Sequence, residues 1–212
     1  MRISLCFLSL MTILAMCIAP AYAAGDIAKG EALSQTCLGC HGVPGLRNPS
    51  PVYRVPMIGG QHASFLEAAL KAYKNKDRTH PTMQAQAASL SDEDIQNIAA
   101  YFESLVQESK PFVKAGANAG KEVASENGCI ACHGETGAAE TDAAKSGGFP
   151  IIAGQYDDYL ERVLLDYKSG ARNNAIMNGI AASLSKQDIK SLARWFRSQQ
   201  SPLNAPVIKI KK

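Results

Sequence analysis

The pentapeptides Cys37-Leu38-Gly39-Cys40-His41 and Cys129-Ile130-Ala131-Cys132-His133 share one spacing, Cys-x-x-Cys-His, and the chain around them repeats as well. Gly60-Gln61 returns as Gly154-Gln155, Tyr73-Lys74 as Tyr167-Lys168, Arg78 as Arg172, and Met83 as Met177, each 94 positions later. Ala88-Ser89-Leu90-Ser91 returns as Ala182-Ser183-Leu184-Ser185 at the same offset. The cysteine clusters are 92 apart, so the second copy carries two extra residues before Pro150. Two copies of about 90 residues describe a duplicated small domain, whereas a solenoid needs three or more repeats. Whatever this chain folds into must be built twice, once around each cluster.

Each copy reads as helical. Leu66, Ala69, Leu70 and Tyr73 fall at i, i+3, i+4, i+7, as do Leu160, Val163, Leu164 and Tyr167, the apolar spacing of a helix buried on one face. Ser91 with Asp94, and Ser185 with Asp188, form capping-box starts. Such a hydroxyl accepts an orphan backbone N–H, and the carboxylate suits the positive helix end. The stripes Ile95, Ile98, Ala99, Phe102 and Ile189, Leu192, Ala193, Phe196 follow. A shorter helix is expected before each cluster, around residues 27–36 and 119–127. No alternating strand pattern emerges, so the expected class is all-α. The expected units are residues 24–108 and 119–201, with a linker at 109–118 where Pro111 and Gly116 interrupt the pattern. The tail 202–212, with Pro202 and Pro206, is expected to be extended and loosely held.

Residues 1–23 are expected to leave the protein. Arg2 is the only charge before Asp26, Ile3 to Ile18 is apolar, and Ala21-Tyr22-Ala23 follows. That is the pattern of a secretory signal peptide, and the run is short for a membrane anchor, which needs about 20 apolar residues. Cleavage after Ala23 removes Cys6 and Cys17 and leaves four cysteines. The product is expected in the periplasm, with no membrane span after cleavage; peripheral membrane association stays open. No basic stripe interleaved with aromatics supports nucleic-acid binding.

Cys-x-x-Cys-His is the attachment pattern of a c-type haem. Two thiols three positions apart add to the two vinyl groups at one edge of a porphyrin, and the adjacent imidazole reaches iron. Covalent attachment also retains the cofactor in a domain too small to enclose it. A zinc site using both pairs would draw on residues 92 apart and leave each His unexplained. A thioredoxin-like pair goes with a βαβ pattern, which is missing, and structural disulfides do not call for a His twice. Two covalently bound haem c groups are therefore expected, held by Cys37, Cys40, Cys129 and Cys132, with His41 and His133 on iron.

A haem iron that does not bind substrate takes a second axial ligand. Met83 lies 42 residues after His41, and Met177 lies 44 after His133. The difference is the insertion already noted, and both methionines fall between the second and third expected helices. Met57 is matched by Ile151 and reads as packing. His80 competes for the first iron, but Asn174 stands at its equivalent. Met83 and Met177 are therefore the expected distal ligands. Pro56 and Pro150, 94 apart, offer rigid carbonyl acceptors for the second ring N–H of each axial His. Arg78 and Arg172 are candidate partners for haem propionates, against the reading as solvated loop charges. Tyr73 and Tyr167 read as packing near haem or at the helix interface. Tyr101 and Trp195 are expected at that interface, where Gly30 and Gly120 would let helices approach. With both axial positions filled no substrate position remains, so an electron carrier is expected rather than an enzyme.

This constellation resembles the cytochrome c4 family of periplasmic dihaem class I cytochromes. The elements that carry the resemblance are the two Cys-x-x-Cys-His motifs, the Gly-Gln turns, the stretch from Lys168 to Arg172, the two methionines, and the Leu-Ser-x-x-Asp-Ile helix starts. It covers essentially all of the chain after the signal segment. The resemblance implies two tandem class I cytochrome c domains related by pseudo-twofold symmetry, with haem propionate edges facing across the interface. It also implies electron transfer from a bc-type quinol-oxidising complex, or from dehydrogenases, to a terminal haem-copper oxidase. Two alternatives are a permanent dihaem subunit of a dehydrogenase, such as a sulfide-oxidising flavoprotein, and a dihaem peroxidase with one open iron. The chain departs from the family pattern at Ala175, where Pro81 stands in the first copy, and in the segment Val43–Val55.

Overall fold

The computed structural model describes residues 25–107, 111 and 118–207. The expected signal segment 1–23, most of the linker 109–118 and the tail beyond Val207 lie outside these residues.

In the first unit, α1 (Ile27–Leu33) runs into α2 (Gln35–His41), which carries the cysteine cluster. Asp26 starts α1 by accepting from the backbone N–H groups of Ala28 and Lys29. Then come α3 (Ala63–Lys74), α4 (Pro81–Ala87) and α5 (Asp92–Ser104). The second unit repeats the order as α6 (Ala119–Glu126), α7 (Cys129–His133), α8 (Asp142–Ser146), α9 (Asp157–Ser169), α10 (Ala175–Ser183) and α11 (Lys186–Arg197). Both capping boxes form. Ser91 Oγ accepts from Asp94 N at 3.1 Å, and Ser185 Oγ accepts from Asp188 N at 3.0 Å. The stripes behind them are core. Ile95, Ile98, Ala99 and Phe102 are buried in the first unit, and Ile189, Leu192, Ala193 and Phe196 in the second.

Helix α1 packs across α5, and α6 across α11. Gly30 and Gly120 are the contact points. A Cβ on Gly30 would lie 2.0 Å from the Asn97 carbonyl oxygen, and one on Gly120 would lie 2.2 Å from that of Ser191. Tyr101 and Trp195 present their Cβ atoms at the same crossings, 2.8 and 2.5 Å from those positions. The obstacles include backbone, so a methyl group must push the helices apart. Gly30→Ala or Gly120→Ala is expected to destabilise the holoprotein by about 1–3 kcal/mol or more, read as a lower denaturation midpoint at unchanged slope.

The copies diverge between the cluster and the repeated Gly-Gln turn. In the first, β1 (Arg47–Pro49) and β2 (Val52–Arg54) pair antiparallel, where no strand was expected. Strands of three residues are too short to show alternation. In the second copy the same stretch is helix α8, capped by Thr141. Pro49 and Pro51 account for the difference, because proline in a helix interior removes a donor and clashes with the preceding turn.

The units meet in a seam that repeats the twofold pattern. Gln61 reaches across with its amide, donating to Ile151 O and accepting from Ile151 N, both at 2.9 Å. Gln155 does the same to Met57, at 2.8 and 3.1 Å. The backbones of Arg78 and Arg172 also bridge one another directly. Met57 packs with Ile151, Ala153, Tyr156 and Leu203, the packing role expected for it. The start of the tail is not loosely held, contrary to expectation. Leu203 is fully buried, and Asn204 exchanges backbone hydrogen bonds with Gly59. Burying Leu203 against the seam offsets the entropy of ordering this segment.

Candidate functional site

Each cysteine cluster sits on a short helix, so its two thiols lie one turn apart on one face. None of the four described cysteines is paired in a disulfide. Among the described residues no three His, Cys, Asp or Glu side chains converge as a metal site. His41 Nδ1 meets Pro56 O at 2.8 Å, and His133 Nδ1 meets Pro150 O at 2.9 Å. A carbonyl can only accept, so Nδ1 carries the proton in both rings and Nε2 keeps its lone pair. Burial pushes both imidazole pKa values down, partly opposed by the proline carbonyls. Both rings are therefore neutral nitrogen donors near pH 7. Burial likewise raises the Cys37 and Cys129 thiols.

The methionines do not lie in loops. Met83 and Met177 sit in the first turns of α4 and α10. His80 caps α4, its Nδ1 accepting from Met83 N at 3.3 Å, and Asn174 Oδ1 caps α10 by accepting from Met177 N at 3.0 Å. The two residues that precede each methionine at equal distance thus do the same backbone work. For His80 that work places the ring proton on Nε2, which leaves the neutral ring no free lone pair there. His80 is near enough to His41 for a charge on it to lower the His41 pKa, so the start of α4 lies on the His41 side of the unit. Gln84 and Asn178 clamp the preceding loops. Gln84 Nε2 donates to Arg78 O at 3.1 Å, and Asn178 Nδ2 donates to Arg172 O at 2.9 Å.

Arg78 and Arg172 are not solvated loop charges. Each guanidinium lies over a tyrosine ring of its own unit, Tyr73 at 4.5 Å and Tyr167 at 4.6 Å. Among the described residues neither has a carboxylate within salt-bridge distance. Arg54 of the first unit, by contrast, pairs across the seam with Asp157 and Asp158. Two cations at the seam without an acidic partner suit an anionic group shared by the units. Together with two pairs of cysteines outside any disulfide and two imidazoles oriented by carbonyls, they fit a carboxylate-bearing haem in each unit.

Four roles were not legible beforehand: the Gln61 and Gln155 exchange, the Gln84 and Asn178 clamp, the capping by His80, and Tyr159, which reaches Arg78 across the seam. Gln61 and Gln155 recur in the repeat, and so were visible as positions without a function. Tyr159 has no such signal, because Phe65 occupies its equivalent.

Two helical units, each built around a Cys-x-x-Cys-His helix with a carbonyl-oriented imidazole, define a dihaem c-type cytochrome. The cytochrome c family model matches residues 27–106 and again 117–200. Cytochrome c4 of Pseudomonas aeruginosa is 34% identical over 188 residues, covering 84% of this chain and 90% of that protein. The crystal structure of reduced recombinant cytochrome c4 from Pseudomonas stutzeri superposes with a TM-score of 0.70 at 29% identity, over 83% of this chain and 100% of that one. A thiosulfate dehydrogenase electron acceptor of Stutzerimonas stutzeri is 28% identical, covering 77% of this chain and 78% of that protein. The chain belongs to the cytochrome c4 family. It is an electron-transfer protein with two covalently bound haem c groups. Among the described residues no helix is long and apolar enough to cross a membrane.

Proposed function

We propose that the chain is exported to the periplasm on residues 1–23. There it carries electrons from a bc-type quinol-oxidising complex, or from a dehydrogenase, to a terminal haem-copper oxidase. In this reading residues 24–108 and 119–201 are the two haem domains, joined by 109–118, and 202–212 is the tail. Cys37 and Cys40 bind one haem through thioethers, and Cys129 and Cys132 bind the other. His41 and Met83 are the axial ligands of the first iron, His133 and Met177 those of the second. The group supplies a one-electron Fe(III)/Fe(II) couple. The chain supplies ligand orientation through Pro56 and Pro150, and cationic partners for the carboxylates through Arg78 and Arg172.

The observation that carries the reading is the pair of matched constructions, an Nδ1–carbonyl imidazole and an N-capped methionine in each unit. A thioether opposite an imidazole raises a haem potential, which suits the oxidising end of a respiratory chain. Exposed Val43 and Leu46 follow the first cluster, and exposed Ile130 lies within the second. Residues 24–115 carry 9 basic and 9 acidic side chains, so apolar contact rather than steering suits docking there.

Spectroelectrochemical titration of the purified holoprotein tests this. Two haems are expected, both six-coordinate with His/Met spectra, and with two resolvable potentials, because the surroundings of Met83 and Met177 differ at residues 80–81 and 174–175. One haem by intact mass, or a five-coordinate resting iron as a peroxidase would need, overturns it. The second reading, a dihaem subunit serving a dehydrogenase, is favoured by the relative that accepts electrons from thiosulfate dehydrogenase. Co-purification of a dehydrogenase in constant stoichiometry would replace the free-carrier reading with that one.

A further inference from the structure

Tyr159 breaks the twofold pattern of the seam at its centre. It lies on α9 of the second unit, and its hydroxyl accepts from Arg78 Nη2 of the first unit at 3.2 Å. The Arg172 guanidinium lies near enough for its charge to act on the same hydroxyl. One phenol oxygen is thus bonded to the cation of the first unit and faces that of the second, and the backbones of the two arginines already bridge each other. The equivalent position in the first unit is Phe65, so the repeat supplies one such hydroxyl where symmetry would supply two.

The surroundings fix this arrangement. The Tyr53 ring of β2 lies 6.1 Å from that of Tyr159. Tyr73 of α3 and Tyr167 of α9 hold the guanidiniums from below. Arg162 and Asp166, the other charged groups on this face of α9, pair with each other at 2.8 Å. Burial pushes the Tyr159 hydroxyl pKa up, and the two arginines more than offset it, leaving it below that of a free tyrosine. Burial raises Tyr53 and Tyr167, and pushes Tyr73 up to about 12. Among these four phenols Tyr159 is the one whose pKa the arginines bring below that of a free tyrosine, and the one that hydrogen-bonds a guanidinium.

We propose that Tyr159 is a positioning residue for both haems: its hydroxyl anchors Arg78 beside Arg172, so that the two bridged arginines act as one cationic unit at the seam, which raises the reduction potential of the haem in each domain. A fixed positive charge favours the state that has gained an electron, and a guanidinium free to swing into solvent favours it less. The inference rests on the two-haem reading above. It adds that a side chain belonging to one domain sets the potentials of both.

Tyr159→Phe tests it, since phenylalanine already occupies the equivalent place in the other copy. The readout is the midpoint potential of each haem, titrated with one-electron mediators and assigned to its domain by paramagnetic NMR. Both reduction equilibria are expected to weaken roughly threefold, about 28 mV for a one-electron couple at 59 mV per tenfold change. Arg78→Gln, made in the first domain, is expected to lower the potential of the second-domain haem as well. In an Arg78→Gln, Arg172→Gln background, Tyr159→Phe is expected to have no further effect. A shift confined to one haem overturns the proposal. So does a lower melting temperature with both potentials unchanged, which is what a purely structural role would give. Intact mass and six-coordinate spectra of the same samples report on the two-haem reading separately, so either can fail without the other.

Discussion

Cys37→Ser combined with Cys40→Ser is expected to give a protein with one haem, whose first domain is cut by protease at least ~10-fold faster than in the parent. That ratio corresponds to about 1.4 kcal/mol of lost protection. The reason lies in how little the domain buries without its cofactor. Its core cluster is Leu38, Leu66, Ile98, Ala99, Tyr101 and Phe102, and Leu38 lies between the two cysteines on α2. Domains of this size are marginal on burial alone, and a porphyrin face gives α2 and α3 a large apolar surface to cover. The second domain is expected to stay resistant. Its core from Ala124 to Phe196 is its own, and the seam cluster draws only Met57 from the first domain. Limited proteolysis followed by mass mapping reads both outcomes. A first domain that remains resistant and melts cooperatively without haem would show that its protein core suffices.

Met83→Ala is expected to lower the potential of the first haem by on the order of 100 mV, given that axial ligands span about 0.8 V across haem proteins. Its visible spectrum should lose the features of His/Met coordination. His80→Ala is expected to behave differently. It removes the acceptor for Met83 N and costs about 1 kcal/mol of stability, as loss of an N-cap does, with the coordination spectrum retained. His80→Asn should recover that stability, because Asn174 performs the same task in the second domain. The reverse pattern, with His80→Ala abolishing six-coordination and Met83→Ala leaving it intact, would assign the first iron to the wrong side chain.

The capping boxes show why some elements were readable in advance. Ser91 and Asp94 meet across three residues of one chain segment, as Ser185 and Asp188 do, so local spacing contains the whole interaction. The same holds for the cysteine clusters, whose thiols are brought together by a single helical turn. Pro56 and Pro150 were legible for a different reason. Their distances from His41 and His133 differ by the two-residue insertion alone, so duplication marked them before any contact was known. The methionines are legible as lying between the second and third expected helices, but the short helices α4 and α10 that hold them are not, since each is only a few turns long and the first starts from His80, a poor signal for an N-cap.

The sequence alone contains the two units, their helical character, and the imidazole that stands beside each cysteine pair. All of these depend on residues close in the chain or repeated along it. Tertiary structure alone decided how the units face each other. Gln61 and Ile151 are separated by 90 residues, Met57 and Gln155 by 98, and Arg78 and Tyr159 by 81. It also decided that Leu203 closes the seam, although its neighbours look like a free tail. No periodicity encodes such contacts. They exist because burying the seam leaves the amide groups of Met57 and Ile151 in need of partners, and the facing glutamines are the side chains that can supply both a donor and an acceptor there.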